Sequence, residues 1–132
     1  MYAQRMATKP VQMLIIQPDG AHELREVSQD LDTLSSIVGG YLERIPTPHA
    51  DIWVDEEAKL KVGKLNPMAT FLWWKLCPRM ENRDTIVGPC FITGLEDSDG
   101  YSLPIRVDVI DLWARMLKAA SEGPETSEEP TP

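Results

Sequence analysis

Residues 11–17 form a nearly unbroken apolar run, and Pro18, Asp19 and Gly20 follow as a turn signal. Residues 21–27 then alternate: His22, Leu24 and Glu26 point one way, Glu23, Arg25 and Val27 the other. This predicts an opening β-hairpin whose first strand is the more buried and whose second lies at a sheet edge. Leu31, Leu34, Ile37 and Val38 then recur at helical spacing. Asp30 or Ser28 can cap that helix by accepting from a free backbone N–H. Gly39 or Gly40 supplies the left-handed residue that ends it. Residues 41–45 read as a strand until Pro46, Thr47 and Pro48 interrupt.

Further along, residues 51–54 and 60–62 flank a charged tip at 55–59, which suits a second hairpin. Asn66 before Pro67 starts a helix: the asparagine caps, and proline lacks only an N–H that would be unpaired there anyway. That helix spans 67–76 and stops at Cys77 and Pro78. Residues 86–93 are apolar and partly β-branched, with Gly88 and Pro89 inside them, which points to a bulge or a sheet edge rather than a centre. A turn at 97–100 lets 101–107 return as a strand. The last helix, 108–119, carries Val109, Leu112, Trp113, Met116 and Leu117 as its stripe, with acids at its start and Lys118 near its end. The reading is α+β: a single domain with an antiparallel sheet of about five to seven short strands and three helices.

A length of 132 residues suffices for one core without metals or disulfides. The domain is expected over 10–120, after a flexible N-terminus at 1–9 and before a disordered tail at 121–132. That tail holds four glutamates, no basic residue and no large apolar one, so it cannot offset the entropy of ordering. No apolar run approaches the ~18 residues of a membrane span, and the first ten residues lack a signal-peptide core. With Cys77 and Cys90 outside any disulfide pattern, a cytoplasmic protein is expected. The formal net charge is −8, and 10–120 alone holds 17 acidic and 11 basic residues. Such a surface repels phosphate backbones, so nucleic acid is not an expected partner.

Catalytic chemistry is not legible in the chain. His22 and His49 have no adjacent nucleophile, and with Cys77 and Cys90 they match no zinc spacing. The glycines at 39 and 40 follow a helix, whereas phosphate-cradling glycines precede one. The acidic string 96–100 lacks the distal glutamate of a calcium loop. No enzyme, cofactor or metal is therefore expected.

Trp73 and Trp74 are adjacent on the second helix and project about 100° apart, so both cannot face one narrow stripe. One packs in while the other lies against a loop, or one is exposed for a partner. The candidate partner-binding residues are Trp73, Trp74, Lys75 and Arg79.

The runs DLDTLSSIVGGYLERI (30–45), LNPMATFLWW (65–74) and IVGPCFITG (86–94) resemble a family of small uncharacterised domains encoded by bacteriophages, especially those of actinobacteria, and by bacterial mobile elements. The likeness covers 11–110, and its motifs are structural, so it carries over no active-site residue. The chain departs from the family in a longer last helix and an acidic tail. The resemblance implies a non-enzymatic phage accessory protein that binds another protein, expected to be a host protein, during infection. Three alternatives stand beside it. One is a module sequestering a nucleotide signal, for which Lys61, Lys64, Arg79 and Arg83 would supply the basic groups. Another is an acidic mimic of DNA. The third is a homodimer formed through the edge near Gly88 and an exposed tryptophan.

Overall fold

The computed structural model describes residues 9–61 and 63–122. Its strands are β1 (Val11–Ile16), β2 (His22–Val27), β3 (Leu42–Pro46), β4 (Asp51–Asp55) and β5 (Cys90–Thr93). The helices are α1 (Leu31–Val38), α2 (Pro67–Leu76) and α3 (Val107–Glu122), and a 3-10 turn, Pro78–Met80, follows α2. The strands form one sheet in the order β2-β1-β5-β4-β3, with every pair antiparallel. This is a single-domain α+β fold with the helices divided between the two faces of the sheet.

Strand alternation separates the two cores. Leu14, Ile92 and Ile52 lie in register across the middle of the sheet and join the larger cluster, with Leu72 and Trp73 of α2 and Val109, Trp113 and Met116 of α3. Their neighbours Ile15, Phe91 and Trp53 occupy the opposite face, where Phe91 stacks on Trp53 at 5.9 Å. That face is covered by Leu34 and Val38 of α1. Met13 and Phe91 are almost fully buried there although α1 has only eight residues.

Local chemistry explains the helix ends. Asp30 caps α1 by accepting from Thr33 N–H at 3.0 Å, and Gly39 closes it at φ 87, a left-handed conformation that glycine adopts without strain. Gly40 serves a different purpose: a Cβ there would lie 2.5 Å from Asp55 Oδ1. Asn66 is fully buried and does three things at once. Its Oδ1 accepts from Ala69 N–H to start α2, and its Nδ2 donates to the carbonyls of Ile16 and Gly88. Thr70 Oγ1 accepts from Ile86 N–H, so the 65–70 and 86–88 segments are stitched together.

Several expectations are corrected. β4 pairs with β3 rather than with 60–62, because Thr47 Oγ1 and N–H both bond the Ala50 carbonyl and tighten the turn between them. Val62 itself lies outside the described residues. β5 is the central strand, not an edge: Pro89 precedes its first residue, where a missing N–H is tolerated, and all four residues are buried. Residues 101–107 form no strand beyond one bridge between Glu96 and Ser102, since buried Gln29 takes Ser102 N–H instead. Leu31 is 64% exposed and stands off the α1 stripe. β2 is an edge strand, as its pattern predicts. The flexible start expected over 1–9 lies outside the described residues except for Lys9, whose Nζ is bonded to Asp97. Of the tail expected over 121–132, Ser121 and Glu122 belong to α3, and the rest lies outside the described residues.

Candidate partner-binding groove

α2 carries large apolar side chains on nearly every side, with Thr70 and Lys75 as its polar positions. Ala69, Thr70, Leu72 and Trp73 are buried, which accounts for its inward side. Phe71 remains 47% exposed, and Met68 and Trp74 are only partly covered. A helix apolar all round is normally buried all round, so the uncovered side of α2 is surplus to the core. It forms one wall of a groove of about 890 Å³ whose other wall is Leu112, Arg115, Met116 and Ala119 of α3. Pro78 and Glu81 also line it.

The aromatic wall is held in place. Trp74 Nε1 donates to the Asp84 carbonyl at 2.9 Å, and Phe71 meets the Trp74 ring edge-on at 5.7 Å. Asp84 is anchored by Lys59 and by Thr85 N–H, and these contacts hold its carboxyl below the usual range despite partial burial. Trp74 is thus presented rather than loosely exposed.

Of the four partner-binding residues named from the sequence, the structure separates one from the rest. Trp73 is 4% exposed and packs in the larger core, so it leaves the surface; the 100° step along the helix turns it inward. Trp74 and Lys75 line the groove, and Arg79 is exposed on the 3-10 turn next to the lining residue Pro78. Phe71 and Arg115 were missed. Phe71 had a signal in the all-round apolarity of α2, whereas Arg115 reaches the groove only through tertiary packing.

Other candidate groups are committed elsewhere. His22 packs edge-on against Trp113 at 5.3 Å, and Arg106 lies 3.5 Å from His49 Nδ1. Cys77 and Cys90 are buried, and burial pushes the Cys90 thiol up to about 12, far from a reactive thiolate. Among the described residues no three His, Cys, Asp or Glu side chains come together as metal ligands. Lys61 holds Asp55 at 2.6 Å and reaches the Gly39 carbonyl at 3.3 Å, which removes it from any phosphate-binding cluster. No helix among the described residues is long and apolar enough to cross a membrane.

Two buried carboxylates close β4. Burial pushes Asp55 up, but Lys61 and Glu57 N–H outweigh it and leave the group below its usual range. Asp51 is 1% exposed and is raised by burial; Arg44 opposes this from 3.6 Å, too far for a hydrogen bond, and Asp51 Oδ2 has none.

The fold and groove define a small α+β domain with a partly uncovered apolar face. Residues 11–118 match the model of a domain of unknown function, DUF3846, and the chain belongs to that family. No curated protein and no solved structure matches it.

Proposed function

We propose that the domain is a non-enzymatic phage accessory protein that acts in the cytoplasm of the host cell and captures a host protein in the groove between α2 and α3. The observation behind this reading is that α2 completes the core with Leu72 and Trp73 while Phe71 stays exposed against a half-buried Trp74 that a hydrogen bond holds in place. Immobilised aromatics in an apolar recess are the usual anchors of protein interfaces, because little entropy is lost when a partner closes over them. The phage setting rests on the resemblance of the 30–45, 65–74 and 86–94 motifs alone.

The test is affinity purification of the tagged chain from infected cells, with Phe71→Ala run in parallel. One host protein recovered near stoichiometry by the wild type and lost by the variant is the expected result. Recovery of the same proteins by both would remove the groove from the interaction, and a clean wild-type bait would remove the protein-binding reading itself.

A further inference from the structure

We infer that the groove's occupant is an amphipathic helix flanked by acidic residues, an inference that rests on the partner-binding reading above and specifies it.

The first argument is charge. The chain carries 21 acidic and 13 basic residues, so an ordinary cation on its surface has carboxylates to pair with. Lys9, Arg25, Arg44, Lys59, Lys61 and Arg106 do so, whereas Lys64, Lys75, Arg79, Arg83, Arg115 and Lys118 make no ion pair among the described residues. Lys75 and Arg115, one on each wall of the groove, make no ion pair among the described residues, and Glu81 is the one acid in the lining. Lys118 stands three residues beyond Arg115 on α3, hence on the same side, and makes no ion pair among the described residues either. The lining of this apolar groove, in a protein of net charge −8, thus holds two cations, one on each wall, against a single acid. A partner with carboxylates flanking an apolar stripe satisfies both features, the stripe on Phe71 and Trp74 and the carboxylates on Lys75 and Arg115.

Shape and elimination support the same occupant. The α3 wall from Leu112 to Ala120 is about 12 Å long, enough to hold two turns of a helix. The chain's own residues 123–132 contain no large apolar side chain, so they cannot fill the recess. A second copy would bring two cations and only one carboxylate, Glu81, to the groove lining, so it would satisfy fewer of the charges than an acidic partner does.

The experiment is a selection on the full chain from a displayed library of 18-residue helical peptides with one fixed apolar stripe and randomised remaining positions. Clones are scored for loss of binding to Phe71→Ala, and folding of each variant is checked by circular dichroism. Phe71-dependent clones should be rich in Asp and Glu, weaken with added salt, and lose about tenfold or more in affinity for the Lys75→Glu, Arg115→Glu double variant. Phe71-dependent clones with neutral or basic flanks would overturn the acidic occupant while leaving partner binding intact. An absence of Phe71-dependent clones would overturn it too, and the lysate experiment would then judge the broader reading separately. Phe71-dependent self-association in sedimentation would replace the helix by a second copy.

Discussion

The two faces of the sheet are built to different completeness. On the α1 face a short helix, capped at both ends, covers Met13, Ile15 and Phe91 with Leu34 and Val38, leaving a recess of only about 70 Å³. On the other face two helices pack sixteen buried residues yet leave a groove more than ten times larger. The contrast shows that uncovered apolar area here does not follow from a shortage of covering elements. It follows from α2 being apolar on more sides than its neighbours cover, which separates residues that hold the fold from residues available to a partner.

The largest effect that sharpens this comparison is Trp73→Ala. Truncating this ring should destabilise by about 3–5 kcal/mol in urea denaturation. A loss near zero would mean that Trp73 is not core and that the division on α2 is misplaced. Leu34→Ala, on the closed face, should cost about 2–4 kcal/mol despite the shortness of α1, because its site cannot collapse around Phe91. Were it tolerated, α1 would be a removable cover rather than a closed face.

The closed face also holds both buried aspartates, and they should titrate with opposite consequences. Asp55 sits below its usual range when folded, so its contribution is present at neutral pH and is lost as pH falls through that depressed value. Asp51 sits above its ordinary 3.8, so the folded state binds its proton more tightly and stability declines as pH rises from there through the raised value. Asp55→Asn should therefore destabilise at neutral pH, and Asp51→Asn should stabilise, with both differences shrinking in acid. Parallel pH–stability curves for the two variants would contradict the assigned environments.

The smallest effect on stability should come from Phe71→Ala, about 1 kcal/mol or less for a ring already half exposed. Its effect on partner capture should be the largest of any groove substitution. A stability loss comparable to that of Trp73→Ala would make Phe71 a core residue and dissolve the contrast between the faces.

The sequence was readable where local chemistry decides. The Asn66 cap, a first-helix cap at Asp30 or Ser28 and stop at Gly39 or Gly40, which the structure assigns to Asp30 and Gly39, the first hairpin and the last helix all follow from side chains within four residues of the feature they control. Pairings settled at long range were not readable. Residues 60–62 and 51–54 make a plausible hairpin by pattern, but the Thr47 turn and the insertion of β5 beside β4 decide the partners. Gly88 and Pro89 read as an edge because period and propensity say nothing about what lies just after them, a four-residue strand buried on both faces. The groove was half legible: an over-apolar α2 with adjacent tryptophans marks a surface, whereas its second wall and Arg115 come from a helix forty residues away.

The central place of β5 also carries a consequence in time. β1 with β2, and β3 with β4, are each joined by short connections and can form as the chain emerges. Neither ribbon touches the other until Leu14 and Ile52 both meet Ile92. The sheet is therefore sealed from its middle by its last strand, after a wide loop has closed on either side. A nascent chain arrested before Cys90 would hold two separate ribbons with apolar edges open to one another and to neighbouring chains, and such a fragment should depend on chaperones in a way the finished protein does not.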